Sequence, residues 1–474
     1  MRKHLILVLA LALVAGLTVG AYAEVQNVKL SGDLTVLGLS RDLWITSHPA
    51  ENTLASIARL RVDADLTDNV IATVRLINER YWGATMETGS TSTSDMSENT
   101  NIDLDLAYVT LKEFLYSPLT LTVGRQELHF GNDMIIGDAY TNNHASKDSV
   151  FNNTIDKDLS MRKSFDAIRA TLNYDPLVID VVGAQIRKNY TTYTNIAGYT
   201  TNALTKDDQE TLIGMNANYA VSKTTDVEGY FWSRRIGKDS ITAGNKQDTT
   251  NVAGARIVTK PITNLTYQLE SAFEFGRNTV NTNTYTDLIT AAPSKDLQRR
   301  AWALETSATY DFKDYKKIGQ YKPTVTALYA YFSGDRGSGS GSKTNGAWDP
   351  MYENQKFGDI ANAAFNMSDG HTAGGIVTMK PVDDVMLKGE YYAFWLDKRY
   401  ADGQQVAVVA TDEVATMTHK KFVGQELDLS ATYDYTEDVQ FGILGGMFFT
   451  GSALAKDNNR NVASEVIGSM KVTF

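Results

Sequence analysis

Charged side chains occupy every second position in several segments of this 474-residue chain. Between Ala58 and Leu66, each odd-numbered residue is Arg or Asp and each even-numbered residue is apolar. Segments that begin at Ile102, Leu265 and Leu427 repeat this alternation of apolar and polar residues. Because successive side chains of a β-strand point to opposite faces, the charges share one face. There they could line an aqueous channel, pair with one another, or steer a charged solute.

Motifs for catalysis and metal binding are scarce. The sequence has no cysteine, which excludes disulfides, thiolate metal sites and thiol nucleophiles. It lacks a glycine-rich phosphate loop, a G-x-S-x-G nucleophile motif and an H-E-x-x-H zinc motif. His144, Ser146 and Asp148 could serve a hydrolase, but such residues also fall together by chance in a Ser/Asp-rich loop. We therefore predict no enzymatic activity, no metal and no cofactor.

The alternation has a period of two residues rather than 3.6, which predicts half-exposed β-strands. We count about eighteen such segments, each near the ~9–11 residues that a tilted strand needs to cross a bilayer. The apolar face would then contact lipid and the polar face would line the lumen, because charges facing lipid near the midplane are costly.

Short and long connections alternate between these segments. Turns at 67–69 and 175–176 are separated by long polar segments, of which 126–164 and 333–371 are the longest. We therefore predict an all-β protein, a transmembrane antiparallel up-and-down β-barrel of about 18 strands, with short periplasmic turns and long extracellular loops. A secreted β-sandwich is the alternative fold, and the alternating loop lengths disfavour it.

Aromatic residues recur near the strand ends beside the short turns, where one interfacial girdle of a barrel lies. They are Tyr108, Tyr174, Tyr219, Tyr310, Tyr433 and Phe474. The terminal Phe474 also resembles the C-terminal signature by which barrels are recognised for assembly. We therefore expect outer-membrane lipid, lipopolysaccharide and the barrel assembly machinery as partners.

The N-terminal segment predicts export from the cytoplasm. Two basic residues precede an apolar stretch, and residues 21–23 have the small–x–small pattern of a cleavage site. We predict a signal peptide at 1–23, cleavage near Ala23, and a single barrel domain at 24–474 in the outer membrane of a Gram-negative bacterium. A net charge of −11 argues against the basic field that nucleic-acid binding requires.

Two loops are long enough to fold back into the lumen. We expect 126–164 to form a pore constriction, because its part at 130–137 is hydrophobic and contains glycines. The loop at 333–371 could do the same, but its Gly/Ser tract at 337–342 is typical of a flexible surface loop.

The polar strand face supplies the candidate pore-lining residues. They are Arg59, Arg61, Asp63, Arg75, Asp103, Asp105, Arg169, Arg256, Glu270, Glu426 and Asp428. The same alternation adds Asp65, Asp180, Glu228, Glu274, Glu305, Lys388, Glu390 and Lys471. Because acids outnumber bases, this face suits a neutral or cationic solute, although a local ring of arginines could override the average charge.

Four short motifs resemble the alginate export family of outer-membrane barrels. Residues 124–133 are similar to that family's G-R-Q-x-L-x-(Y/F)-G-(D/N) segment, and residues 162–169 to its R-x-F-D-A-x-R segment with one residue added. Residues 424–429 and 448–451 are similar to later segments of the family. The resemblance implies a monomeric barrel of about 18 strands that passes an anionic polysaccharide outward through an arginine-rich constriction.

The same resemblance assigns Arg125, Asp166 and Arg169 to the pore or to the network that braces it. Strict alternation from Leu119 places Arg125 on the outer face instead, unless Gly124 marks a β-bulge that changes the alternation. The strand pattern and the family motif therefore make different predictions for Arg125.

These patterns together predict a porin for passive passage of a polar solute, with an exported anionic polysaccharide as one candidate. A barrel scaffold that docks or sheathes a secretion or electron-transfer partner is the main alternative. A hydrolase embedded in the barrel is a third function, which the missing motifs disfavour.

Overall fold

The computed structural model describes residues 27–44, 50–82, 102–139, 158–192, 205–237, 247–280, 295–335, 343–365, 368–407, 414–455 and 462–474. The predicted signal peptide lies outside these residues, as do His144, Ser146, Asp148 and the tract at 337–342. Within the described residues, no helix is long and apolar enough to cross a membrane.

Antiparallel strands of nine to eighteen residues make up most of the described chain. They are β1 (Asn27–Asp42), β2 (Glu51–Thr67), β3 (Val70–Tyr81), β4 (Asp103–Leu111), β5 (Leu119–Glu127), β6 (Ser164–Asn173), β7 (Leu177–Thr192), β8 (Thr205–Ser222), β9 (Thr225–Ile236), β10 (Asp248–Ile262), β11 (Leu265–Val280), β12 (Lys295–Asp311), β13 (Thr324–Phe332), β15 (Gly370–Val382), β16 (Val385–Leu396), β19 (Phe422–Asp434), β20 (Val439–Thr450) and β21 (Val462–Thr473). The shorter elements are β14 (Thr344–Asn345), helix α1 (Asp359–Ala364), β17 (Gln405–Ala407), β18 (Val414–Thr416) and a 3₁₀ turn at Gly319–Tyr321.

The long strands pair in chain order and the sheet closes on itself. The last strand, β21, lies antiparallel to β1, with Asp33 opposite Thr473 and Asp42 opposite Ser464. Eighteen strands form this closed barrel, while β14 adds a two-residue parallel pairing to β12. The predicted 18-strand antiparallel barrel is therefore confirmed.

Connections at one end of the barrel are short, and those at the other end are long. Two-residue turns follow β2, β8, β10 and β15, whereas the connections after β5 and β13 each exceed thirty residues. We call these two ends the turn end and the loop end.

Large apolar side chains lie exposed on the outer face of the barrel. Trp302 is 55% exposed midway along β12, and Tyr310 points the same way eight residues later, beside the turn end. That separation is about 26 Å along the strand, or roughly 20 Å across the membrane at a strand tilt of ~40°, which fits within the ~25 Å apolar band of a membrane barrel. Tyr174, Tyr219, Tyr433 and Phe474 are likewise exposed near the turn end.

Tyr108 does not belong to this outer girdle. The register of β3 against β4 shifts between Arg75 and Leu76, so Asp105 is an extra residue in β4. After the shift Tyr108 lies opposite Thr73, a buried residue that donates to Asp63 on the inner face. A single bulge thus reverses the alternation that the sequence predicts for this strand.

Candidate functional site

Pairs of arginine and aspartate line the inner face of β1 to β3. The Arg59 guanidinium donates to Asp33 on the neighbouring strand at 2.8 Å. Arg61 donates to Asp63 at 2.7 Å, and Thr73 donates to the same carboxylate at 2.7 Å. Arg61 and Asp63 are two residues apart on β2, so strand alternation alone places both on this face.

A second group of charges joins β3 to β5 beside the first, with Arg75 opposite Arg61 in the sheet. The Arg75 guanidinium donates to Asp105 at 2.5 Å and also contacts Glu127. Asp105 is only 3% exposed, because the bulge in β4 turns it toward Arg75. Asp103, which is half exposed, pairs with Arg162 from the chain segment that returns to β6.

Arg169 and Arg256 continue the charged inner face on β6 and β10. Arg169 donates to Asp180 at 2.7 Å, and its guanidinium lies 5.2 Å from the centre of the Phe130 ring. Arg256 lies opposite both Glu228 and Glu270 in the sheet, and donates to Glu228 at 3.3 Å. Glu270 lies in turn opposite Glu305, so these four charges form one row across β9 to β12.

In four of these pairs the arginine side chain is more exposed than the carboxylate, whereas Glu127 and Asp103 are more exposed than their partners Arg75 and Arg162. Side-chain exposures are 20% and 10% for Arg59 and Asp33, and 36% and 25% for Arg61 and Asp63. They are 31% and 6% for Arg169 and Asp180, and 21% and 7% for Arg256 and Glu228. In these four pairs the arginine is therefore the more accessible side chain.

Residues 128–139, which we call the first inner loop, lie against the inner wall of the barrel. The backbone N–H of Gly131 donates to Glu228 at 3.0 Å, and that of Asn132 donates to Glu270 at 2.9 Å. The Asn132 side chain also donates to Glu305 at 2.6 Å. Three wall carboxylates that the sequence assigns to the lumen therefore bind this loop.

Residues 343–365, the second inner loop, attach to the wall in the same way. The N–H of Asp349 donates to Glu274 at 3.0 Å. At the start of α1, the N–H groups of Ile360 and Ala361 donate to Glu426 at 2.7 and 2.9 Å. These N–H groups have no partner within the helix, so the wall carboxylate completes its first turn.

Glycines with positive φ allow both loops to approach the wall carboxylates closely. Gly131 has φ +65°, and a Cβ there would lie 2.6 Å from an oxygen of Glu270. Gly358 has φ +77°, and a Cβ there would lie 2.5 Å from an oxygen of Glu426. Any side chain at either position would displace the loop or the carboxylate.

Asp349 anchors the second inner loop by its charge. Arg234 donates to it at 3.1 Å, and a guanidinium nitrogen of Arg299 lies 3.2 Å from its carboxylate. Burial alone would raise the pKa of Asp349, but Arg234 and Arg299 outweigh burial and lower that pKa to about 2. The carboxylate is therefore charged at any physiological pH.

The two inner loops also bind each other. Tyr352 donates its N–H to the carbonyl of Ile135 at 3.1 Å and accepts the N–H of Gly137 at 2.8 Å. Asn354 donates its N–H to the carbonyl of Asp133 at 2.9 Å. The loops thus form one unit joined by a short ladder of backbone hydrogen bonds.

Small apolar residues on the upper inner wall receive the side chains of this unit. Phe130, Met134, Ile136, Trp348 and Tyr352 pack there in one buried cluster. The wall side of the cluster includes Ala167, Ala184, Ala272, Ala301, Ala303 and Ala330. Where the loops lie, the inner face therefore combines small apolar residues with carboxylates that bind the loops, an arrangement that strand alternation does not reveal.

The acidic residues of the inner face consequently differ in role from the sequence-based interpretation. Glu270 and Glu426 bind loop backbone, as do Glu228 and Glu274. Asp428 is 1% exposed and lies opposite Glu390 beside Glu426. A count of inward acids therefore overstates the negative charge that a solute would meet.

Arg125 and Asp166 lie on the outer face, contrary to the family motif. They are opposite each other in β5 and β6, and their side chains pair at 3.2 Å. Asp166 and Ile168 alternate with the inward Arg169, and Ile168 is 55% exposed. Although Gly124 has a φ of +126°, no register shift occurs beside it. Strict alternation therefore gives the correct face.

Several charged residues of the site are not among those that the sequence pattern predicted. Glu79 accepts the N–H of Met161 at 2.7 Å and the guanidinium of Arg162 at 2.9 Å, which fixes the returning limb of the first long loop. Arg234 and Arg299 were also missed. Strand alternation could have placed all of these wall residues inward, but their partners lie in loops that have no periodic pattern.

Among the described residues, no group of three or more His, Asp or Glu side chains is placed to hold a metal ion. His129 pairs with Asp133 at 2.9 Å, and this hydrogen bond raises the pKa of His129. His371 contacts Tyr329 at 2.7 Å. Both histidines therefore have side-chain partners within the fold.

Comparisons with known proteins agree with this geometry. The family model described as alginate export matches residues 38–467. The fold is similar to that of OccAB1 from Acinetobacter baumannii, with a TM-score of 0.55, 13% identity, and coverage of 96% of this chain and 98% of that chain. OccK3 (OpdO) from Pseudomonas aeruginosa gives a TM-score of 0.53, 11% identity, and coverage of 95% and 97%. No curated protein matches the chain.

Proposed function

The chain belongs to the alginate export family, and from that membership we propose that it is an outer-membrane channel for passive passage of polar, anionic solutes. Family and porin-like fold are those of transport channels and support this function. A saccharide chain that carries carboxylates is the solute class that the family and the arginines favour together. The observation that carries the proposal is the greater exposure of Arg59, Arg61, Arg169 and Arg256 than of their partner carboxylates.

We propose that the two inner loops set the width of this channel. Their backbone lies against β9, β11, β12 and β19, and their side chains cover the upper wall. A barrel of this size is too wide for wall side chains alone to fill. Loops fixed to the wall would narrow it and would keep solutes near the guanidinium groups.

The charge exposed in the remaining lumen favours passage of anions more than the composition of the inner face suggests. Wall acids such as Glu228, Glu270 and Glu426 already accept hydrogen bonds from loop backbone. Arg59, Arg61, Arg169 and Arg256 retain the larger exposed fraction in their pairs. An aqueous pore with low-dielectric walls increases the influence of such charges.

Single-channel recording in a planar bilayer tests this function. We expect an open current with preference for anions. Arg61→Gln and Arg169→Gln should each lower the anion-to-cation permeability ratio by about twofold or more, since each removes a lumen charge. Arg125→Gln is the matched control, because it removes an arginine from the outer face of the adjacent strand. Unchanged selectivity in both inner variants would contradict the proposal.

A scaffold function remains the second candidate, because the inner loops fill much of the upper lumen with packed side chains. Such a barrel could dock or sheathe a secretion or electron-transfer partner. A folded protein that gives no current in the bilayer, with or without anionic saccharide, would favour the scaffold over the channel.

A further inference from the structure

Basic side chains gather on the outer face of the barrel at the loop end of β9 to β12. They are Arg235, Arg277 and Arg300, together with Lys343 at the start of the second inner loop, and all four are exposed. Arg277, Arg300 and Lys343 border one cleft of about 1120 Å³. We call these four residues the outer basic patch.

Strand register orders the side chains around this patch into three parallel rows. The row nearest the turn end contains Phe231, Ala253, Phe273 and Trp302. The next contains Ser233, Asn251, Phe275 and Arg300. The row nearest the loop end contains Arg235, Thr249, Arg277 and Gln298. The outer surface therefore changes from aromatic to basic over about 13 Å of strand.

These residues face away from the pore. Trp302, Phe231 and Phe275 are 55%, 41% and 38% exposed, whereas their strand neighbours Ala301, Trp232 and Glu274 are buried against the inner loops. A solute in the lumen therefore does not reach the outer basic patch. Its occupant must approach from outside the barrel.

We propose that the outer basic patch binds the phosphorylated headgroup of a lipid in the outer leaflet, the lipid A of lipopolysaccharide. Three observations support this occupant. The aromatic row has the depth and exposure of an interfacial girdle, so the basic row lies at headgroup level. None of the twelve residues in the three rows is acidic. Guanidinium groups bind phosphate oxygens through paired N–H donors.

The patch and the aromatic row together offer contacts for both the phosphorylated headgroup and the acyl chains of such a lipid. Arg277, Arg300 and Lys343 would surround a phosphate, while the acyl chains would lie along Phe273 and Trp302, whose rings are 4.4 Å apart. Arg300 already donates to Gln298 at 3.2 Å, which orients its guanidinium along the outer surface. This inference rests on the outer-membrane placement of the proposed function but not on the solute or its selectivity.

Native mass spectrometry of the barrel in neutral-lipid nanodiscs tests the proposal. Diphosphorylated lipid A and enzymatically dephosphorylated lipid A are added separately, and the lipid retained per barrel is counted. We expect retention of the phosphorylated form only. Arg277→Gln/Arg300→Gln/Lys343→Gln should lower that retention by about tenfold or more, because basic residues at a membrane surface contribute additively to binding of anionic lipid.

Lys316→Gln/Lys317→Gln/Lys322→Gln is the matched control, since it removes three exposed positive charges at the turn end. Heat-dependent gel mobility establishes that each variant is folded, and unchanged ion selectivity separates this site from the channel. Equal retention of dephosphorylated lipid A overturns the proposal, as does undiminished retention by the patch variant. Displacement of lipid A by excess inorganic phosphate overturns the lipid as occupant. If the patch variant does not fold, the proposal is still tested by comparing how much phosphorylated and dephosphorylated lipid A the unaltered protein retains.

Discussion

Wall carboxylates in this barrel bind backbone rather than dissolved cations. Glu228, Glu270, Glu274 and Glu426 each accept an N–H from an inner loop, and each is almost completely buried. A hydrogen bond typically contributes roughly 0.5–1.5 kcal/mol. Each buried carboxyl group is thus satisfied by donors whose own partners within the loop are missing, which fixes the loops at defined points of the wall.

Asp349 gives a prediction for low pH. Its pKa is lowered from 3.8 to about 2. A depressed carboxyl contributes stability that is fully present above its ordinary pKa and is lost as the pH falls through the lowered value. We therefore expect single-channel current noise to increase between about pH 4 and pH 2, as the second inner loop leaves Arg234 and Arg299. Asp349→Asn should be noisy already at neutral pH, and a normal pH response in that variant would contradict the assignment.

Residue-level prediction from sequence worked where a charge lies on a regular strand. Alternation placed Arg59, Arg61 and Glu270 on the inner face, and it placed Arg125 outside against the family motif. It could not give their partners. Glu270 binds Asn132, 138 positions away in sequence, through a contact that only the folded loop creates.

Glycines at the loop–wall contacts give a prediction at the level of the element. Gly358→Ala should detach the start of α1 from Glu426, because the Cβ meets the carboxylate and φ of +77° strains any L side chain. We expect more frequent open–closed transitions in single-channel records of a folded barrel.

Gly183→Ala on β7 is the control for this change, since a Cβ there meets no atom within 4 Å. Each variant adds a single methyl carbon, and the two differ in the atoms that surround that carbon. Identical channel records for both would show that the helix start does not depend on its wall carboxylate.

The elements themselves differ in how well sequence identifies them. Strand β11 alternates from Leu265 to Phe275, so its start and its faces follow from period two, although the strand continues to Val280. Strand β4 does not, because one extra residue at Asp105 is invisible in the residue pattern. Helix α1 has six residues and no side-chain cap, so no local signal predicts it.

Removal of the second inner loop tests whether the two joined inner loops limit ion flow through the barrel. Replacement of residues 346–365 by a short Gly/Ser linker should raise the single-channel conductance by about twofold or more, because the second inner loop then no longer narrows the lumen. Heat-dependent gel mobility would check that the barrel still closes. A folded variant with unchanged conductance would mean that these residues do not limit ion flow.

At the scale of the whole molecule, the closed fold was predictable because a membrane imposes it. Backbone groups in lipid must all be bonded, so strands with one apolar face can span only as a closed barrel. Strand number followed from the count of alternating segments. The filling of the lumen did not follow, since Trp348 and Tyr352 look like ordinary loop aromatics until the small wall residues opposite them are known.

Because the loops attach to the wall largely through backbone N–H groups, many of their side chains can change while the attachment stays. Apart from the glycines, Glu426 does not depend on the side chains of Ile360 and Ala361 when it accepts their main-chain N–H groups. Substitutions of loop residues that face the lumen could therefore accumulate without detaching the loop from the wall carboxylates. The same tolerance would allow the loop residues that face the lumen to be redesigned for another solute without any change to the eighteen-strand barrel.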